Sequence, residues 1–112
     1  MITEQELNKR LAEWRFPNTK ILILGKHIRM WGADALSEIE WLTQSLDACF
    51  RWLVPNHDIT CIMFIYTDDD VICKIEIALS KEYEGLADIE KPALALCLAI
   101  EKLIDSGVKG GD

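Results

Sequence analysis

Asp68, Asp69 and Asp70 are three consecutive carboxylates, the kind of oxygen donors that suit a hard cation such as Mg²⁺ or Ca²⁺. A calcium loop spaces its ligands over about twelve residues, bends on a glycine and closes with a distal glutamate. None of those features accompanies these aspartates, so they read as a solvated turn and no metal is expected. His27 and His57 are the two histidines. Acid–base catalysis would need a nucleophile and an orienting acid beside one of them. His27 sits next to a turn, and His57 follows Pro55-Asn56 at a helix end, where a positive charge is favourable in its own right. The cysteines, Cys49, Cys61, Cys73 and Cys97, form no C-x-x-C pair and none stands at finger-like spacing from a histidine. Cys49 and Cys97 fall on apolar helix faces, the reverse of the electropositive, partly exposed place a reactive thiolate wants. The four read as reduced, buried thiols of a cytoplasmic protein. No catalytic residue and no cofactor is expected, and the chain reads as a non-enzyme.

The remaining chemistry is that of recognition. Trp14 and Trp52 lie in helical stretches, at least half buried, whereas Trp31 and Trp41 flank a polar connector close to His27 and Arg29. Trp and Arg are enriched where interfaces concentrate their binding energy. His27, Arg29, Trp31 and Trp41 therefore form the candidate partner surface. The same tryptophans could equally cover a sheet face.

Those side chains are positioned by elements that the pattern of apolar residues predicts. The 112 residues suggest one domain, large enough to bury a core without staples, with a frayed tail over 106–112. Thr3 caps a first helix with Glu6 at the capping-box spacing and Ile2 and Leu7 at the staple positions. Leu7, Leu11 and Trp14 form its stripe. "KILILGKHIRMW" is a hairpin turning on Gly25-Lys26, with Ile23 opposite Ile28 and Ile21 opposite Met30. Leu22, Leu24, His27, Arg29 and Trp31 take its other, mixed face. "GADALSEIEW" reads as a connector. Thr43 is the expected N-cap of a helix that Pro55 closes, with Leu46, Cys49, Phe50 and Leu53 buried and Gln44, Asp47 and Arg51 towards water.

A second hairpin follows, in which Tyr66 opposes Val71. Ile62, Phe64, Tyr66, Val71, Cys73, Ile75 and Ile77 then share one face; Cys61, Met63, Ile65, Ile72, Lys74 and Glu76 share the other. A one-residue slip would mix the two sets, so the parity is determined. "SKEYEGLADIEK" reads as a loop. Pro92 opens the last helix and Asp105, Ser106 and Gly107 end it. Ala93, Leu96, Cys97, Ile100, Leu103 and Ile104 are its expected sheet-facing residues. Leu94 and Leu98 extend that face sideways, and Ala95 and Ala99 lie at the back, small enough for a close approach. The expected fold is α+β: a three-layer αβα sandwich in the order α-β-β-α-β-β-α, around one four-stranded, mainly antiparallel sheet.

Two of these stretches, "TQSLDACFRWLVP" and "KPALALCLAIEKLI", resemble the phage ABA-sandwich domain family of small phage and prophage proteins. The central match is Thr43, Leu46, Asp47, Ala48 and Phe50; the closing match is Ala93, Leu94, Ala95, Cys97 and Ala99. With the leading helix these cover roughly two thirds of the chain. Segment 17–41 matches no pattern of the family. The resemblance implies a three-layer sandwich and a phage or prophage origin, and brings no catalytic or cofactor-binding residues.

The formal charge of −7 and the absence of a basic run argue against direct nucleic-acid binding. No signal peptide opens the chain, and the apolar run near 92–100 is too short to span a bilayer, so no membrane is expected. The expectation is a non-enzymatic phage or prophage protein in the host cytoplasm that binds a host or phage protein and forms a homo-oligomer. Sequestration of a small-molecule nucleotide is the alternative, though no glycine-rich phosphate loop is present. An acidic mimic of nucleic acid ranks behind both.

Overall fold

The computed structural model describes residues 3–17, 19–25, 27–31, 36–53, 59–77 and 81–107. Ile2, Lys26, Pro55, His57, the 32–35 part of the connector and the 108–112 tail lie outside them, as does the side chain of Leu53. Helix α1 (Glu4–Arg15) starts as its sequence demands: the Thr3 side chain accepts a hydrogen bond from the Glu6 N–H at 3.1 Å. Its buried stripe is Leu7, Asn8, Leu11 and Ala12.

Strands β1 (Lys20–Leu24) and β2 (His27–Trp31) pair in the expected register, Ile23 with Ile28 and Ile21 with Met30. Gly25 takes φ +58, the left-handed conformation that its turn position requires. The connector contains a third strand, β3 (Leu36–Glu40), antiparallel to β2. The sequence pattern assigns no element to this connector. Ile28, Met30 and Ile39 are buried on one face of this first sheet, and β1 and β2 pack on α1.

The second sheet is β4 (Ile59–Tyr66), β5 (Asp70–Ile77) and β6 (Glu82–Asp88), in that order. Tyr66 opposes Val71, Phe64 opposes Cys73 and Ile62 opposes Ile75, as the parity argument requires. Strand β6 occupies the stretch expected to be a loop. A single four-stranded sheet is therefore not what forms; two three-stranded antiparallel sheets take its place. The class is α+β.

Between the sheets in sequence, Leu42–Gln44 makes a 3₁₀ turn and α2 (Leu46–Ala48) begins a short helix. Ser45, not Thr43, is its N-cap: the Ser45 hydroxyl accepts from the Ala48 N–H at 3.0 Å. The helix then widens into a π-turn over Cys49–Leu53. A π-turn holds more residues than an α-turn, so the 3.6-residue spacing no longer tells which side chains point inward. Phe50, expected in the core, is 44% exposed.

Helix α3 (Pro92–Asp105) contacts β5 and β6 and also α1, the 3₁₀ turn and the π-turn. It is buried almost all round: Ala93, Ala95, Leu96, Cys97, Ala99, Ile100 and Leu103 are all enclosed. Ala95 and Ala99, expected at the back, in fact take the closest approach of the sheet. A Cβ placed on Gly85 of β6 would lie 2.0 Å from the Ala95 carbonyl oxygen and 2.5 Å from the Ala99 nitrogen. Helix backbone rests directly on strand backbone there, which only glycine permits. On its far side α3 is tied to α1 by Arg10, whose guanidinium donates to Glu101 at 3.3 Å and pairs with Asp105. The apolar circumference of α3 is thus absorbed within one chain.

Candidate functional site

The expected partner surface divides in two. His27, Arg29 and Trp31 alternate with buried Ile28 and Met30 along β2, so all three project from the outer face of the first sheet. His27 is exposed, Trp31 is 38% exposed and Arg29 is half-buried. The register adds neighbours that the sequence reading did not place there. Leu22 of β1 lies opposite Arg29 and is exposed. Glu38 and Glu40 of β3 lie opposite Arg29 and His27. The Arg29 guanidinium donates to the Glu38 carboxylate at 3.2 Å. Both partners of that pair are accessible to water, so it holds the arginine side chain in place more than it stabilises the fold.

Trp41 does not belong to this face. It follows β3, is half-buried and packs against the core. Its indole N–H is buried without a hydrogen-bond partner among the described residues. The candidate surface is therefore corrected to Leu22, His27, Arg29, Trp31, Glu38 and Glu40. Leu22 was legible as a member of the mixed face of the hairpin. Glu38 and Glu40 carried no such signal, because β3 itself was not expected.

Other polar groups have structural work. Asn8 is fully buried; its amide donates to the Thr43 hydroxyl and to the Glu4 carbonyl, both at 2.8 Å, and its carbonyl oxygen accepts from the Thr43 N–H at 3.2 Å. The Thr43 hydroxyl donates in turn to the Glu4 carboxylate at 2.5 Å. This network stitches α1 to the 3₁₀ turn. Next to it, a cleft of about 430 Å³ is lined by Glu4, Thr43, Gln44, Leu46, Glu90 and Lys91, with Pro92 and Ala93 at the start of α3. Two carboxylates against one ammonium make a poor seat for a phosphate.

Cys49, Cys73 and Cys97 are buried together. The Cys49 and Cys97 sulfurs stand 3.7 Å apart, and the Cys49 thiol donates to the Leu42 carbonyl. Burial pushes the Cys73 thiol up to about 12, with a smaller contribution from Cys49. Burial also raises Cys97 well above the ordinary thiol value. These are poor nucleophiles. Cys61, expected to be buried, is exposed on β4. Among the described residues, no group of three or more His, Cys, Asp or Glu is placed to hold a metal ion, and no helix is long and apolar enough to cross a membrane.

In comparisons with known proteins the chain matches no family model, no curated protein and no solved structure.

Proposed function

We propose that this chain is a small non-enzymatic binding protein of phage or prophage origin, and that it engages a host or phage protein through the outer face of its first sheet. The phage origin rests on the residues that resemble the ABA-sandwich family, Thr43 to Phe50 and Ala93 to Ala99. The binding surface rests on one observation: exposed Leu22, His27 and Trp31 surround an arginine already held by Glu38. An aromatic and an aliphatic side chain beside an oriented guanidinium supply the apolar centre and the polar anchor of an interface. The flanking Glu38 and Glu40 favour a partner with basic groups at its rim.

Alanine substitution at Trp31 and at Arg29 tests this reading. Each variant should weaken capture of the partner while leaving the melting temperature close to that of the parent. A variant that keeps its fold and its partner would remove the face from consideration. Unfolding of both variants would make these residues core, and the reading would fail.

A further inference from the structure

We infer that β4 is a self-pairing edge, through which two copies of this chain join their second sheets into one six-stranded antiparallel sheet. Edge strands offer unpaired N–H and C=O groups, and monomeric proteins protect them with charge, brevity, proline, β-bulges or a covering segment. Among the described residues four strands are sheet edges: β1 and β3 in the first sheet, β4 and β6 in the second. Three of them are protected. β1 has five residues and carries Lys20; β3 has five and carries Glu38 and Glu40; β6 carries Glu82, Glu84 and Asp88.

β4 lacks all of these except one irregularity at its start, where its register on β5 shifts between Ile59 and Cys61. It runs for eight residues, "ITCIMFIY", without a charge, a proline or a glycine. Among the described strands its one partner is β5. Helix α3 lies over β5 and β6, so β4 is less well covered than its neighbour. Val71, Cys73 and Ile75 of β5 are fully buried, while Ile62 and Phe64 of β4, on the same face, are half-exposed. Met63 and Tyr66 are 50% and 57% exposed.

A second copy suits this edge because it brings the same uncharged strand to it. The chain carries a net charge of −7, so two copies repel over most of their surfaces. β4 is the one described strand with no charged residue, and two copies meet there with the least repulsion. An antiparallel pairing of identical strands is two-fold symmetric, and directly opposed residues share a face. Ile62 and Phe64 would then be covered by their counterparts' neighbours, and Met63 and Ile65 likewise on the other face. Alternate residues of the regular stretch Cys61–Tyr66 present both backbone groups outward, so the seam could hold up to about six hydrogen bonds. Pairing uses up the free edge, so the assembly closes at two.

Sedimentation and amide exchange of the full chain test this. The expected result is a dimer of the 12.8 kDa chain at micromolar concentration, with β4 amides gaining protection as concentration rises. Met63→Glu places a carboxylate on an exposed position opposite Lys74, which already pairs with Glu84, and a like charge close to the two-fold axis, which opposes the dimer. It should shift the species to a monomer with amide exchange in α3 unchanged. If that variant fails to fold, a dilution series of the parent protein decides alone. A parent that stays monomeric to about 100 μM overturns the inference. So does a dimer whose β4 amides exchange independently of concentration, growth beyond a dimer, or a folded Met63→Glu that dimerises as before.

Discussion

Replacing Gly85 with alanine is the sharpest perturbation of this fold. The added methyl would sit 2.0 Å from the Ala95 carbonyl oxygen, 2.5 Å from the Ala99 nitrogen and 3.0 Å from the Leu98 Cβ. Ordinary non-bonded contacts lie at about 3.5–4.0 Å, so α3 would have to retreat by about 1.5 Å. Two of the three obstacles are backbone atoms, which no rotamer change can move aside. The helix is also held from behind by α1 and the 3₁₀ turn. Retreat would loosen Leu96, Ile100 and Leu103 in the core as well. Overpacking of a tight site costs about 1–3 kcal/mol, and a backbone clash on this scale belongs at the top, near 3. For 112 residues the unfolding entropy is about 0.24 kcal/mol/K, so the melting temperature should fall by about 13 °C. In urea, with m near about 1.5 kcal/mol/M, the midpoint should fall by about 2 M at constant m. Circular dichroism during urea titration measures both quantities. A loss below about 0.5 kcal/mol would refute the close packing of α3 on β6.

Gly25→Ala is the counterpart with strain and no clash: φ is +58 and nothing lies within 4 Å, so the cost should be about 1–2 kcal/mol, and Gly25→Asn should cost less. Thr43→Val strips Asn8 of a buried partner and should cost about 1–3 kcal/mol; a double-mutant cycle with Asn8→Ala should give a coupling above about 0.5 kcal/mol, and additivity would remove the network. Native protein should react with a thiol reagent at Cys61 alone, with three more sites appearing on unfolding. The Cys73 thiol has a folded value raised to about 12, so its stabilisation is complete below the unfolded thiol value and is lost as pH rises through the window from about 9 to 12. In that window the unfolded chain has released a proton that the folded chain keeps, which lowers stability by about 1.4 kcal/mol per pH unit for each such thiol. Cys73→Ala should make the alkaline decline of stability shallower, and an unchanged slope in urea titrations at several pH values would contradict this.

The two hairpins were legible because their residue types alternate: a one-residue slip would have put Ile62 and Phe64 of β4 on the face of Lys74 and Glu76 of β5. The two strands that sequence reading missed, β3 and β6, are both edges, and the omission has one physical cause. The acids that protect an edge from pairing are, like glycine, depleted from strands, so a well-guarded edge reads as a loop. Gly85 adds a second reason, since its role is set by a helix that begins seven residues later. Thr43 was the expected cap, and Ser45, a stronger capping residue, takes that place. The contact that removes Thr43 from the cap comes from Asn8, thirty-five residues away. His27, Arg29 and Trp31 were legible as one face from their alternation alone. Trp41 was misplaced with them because its position depends on β3, which its neighbours disguised.

The claim that the outer face of the first sheet binds a protein is tested most directly by native mass spectrometry of the chain isolated from its own host background, alongside Arg29→Ala and Trp31→Ala. A protein partner should travel with the parent chain, and its stoichiometric mass should disappear from both variants while their melting temperatures hold. A partner retained by both folded variants would contradict the account, as would a parent chain that carries only a small-molecule adduct.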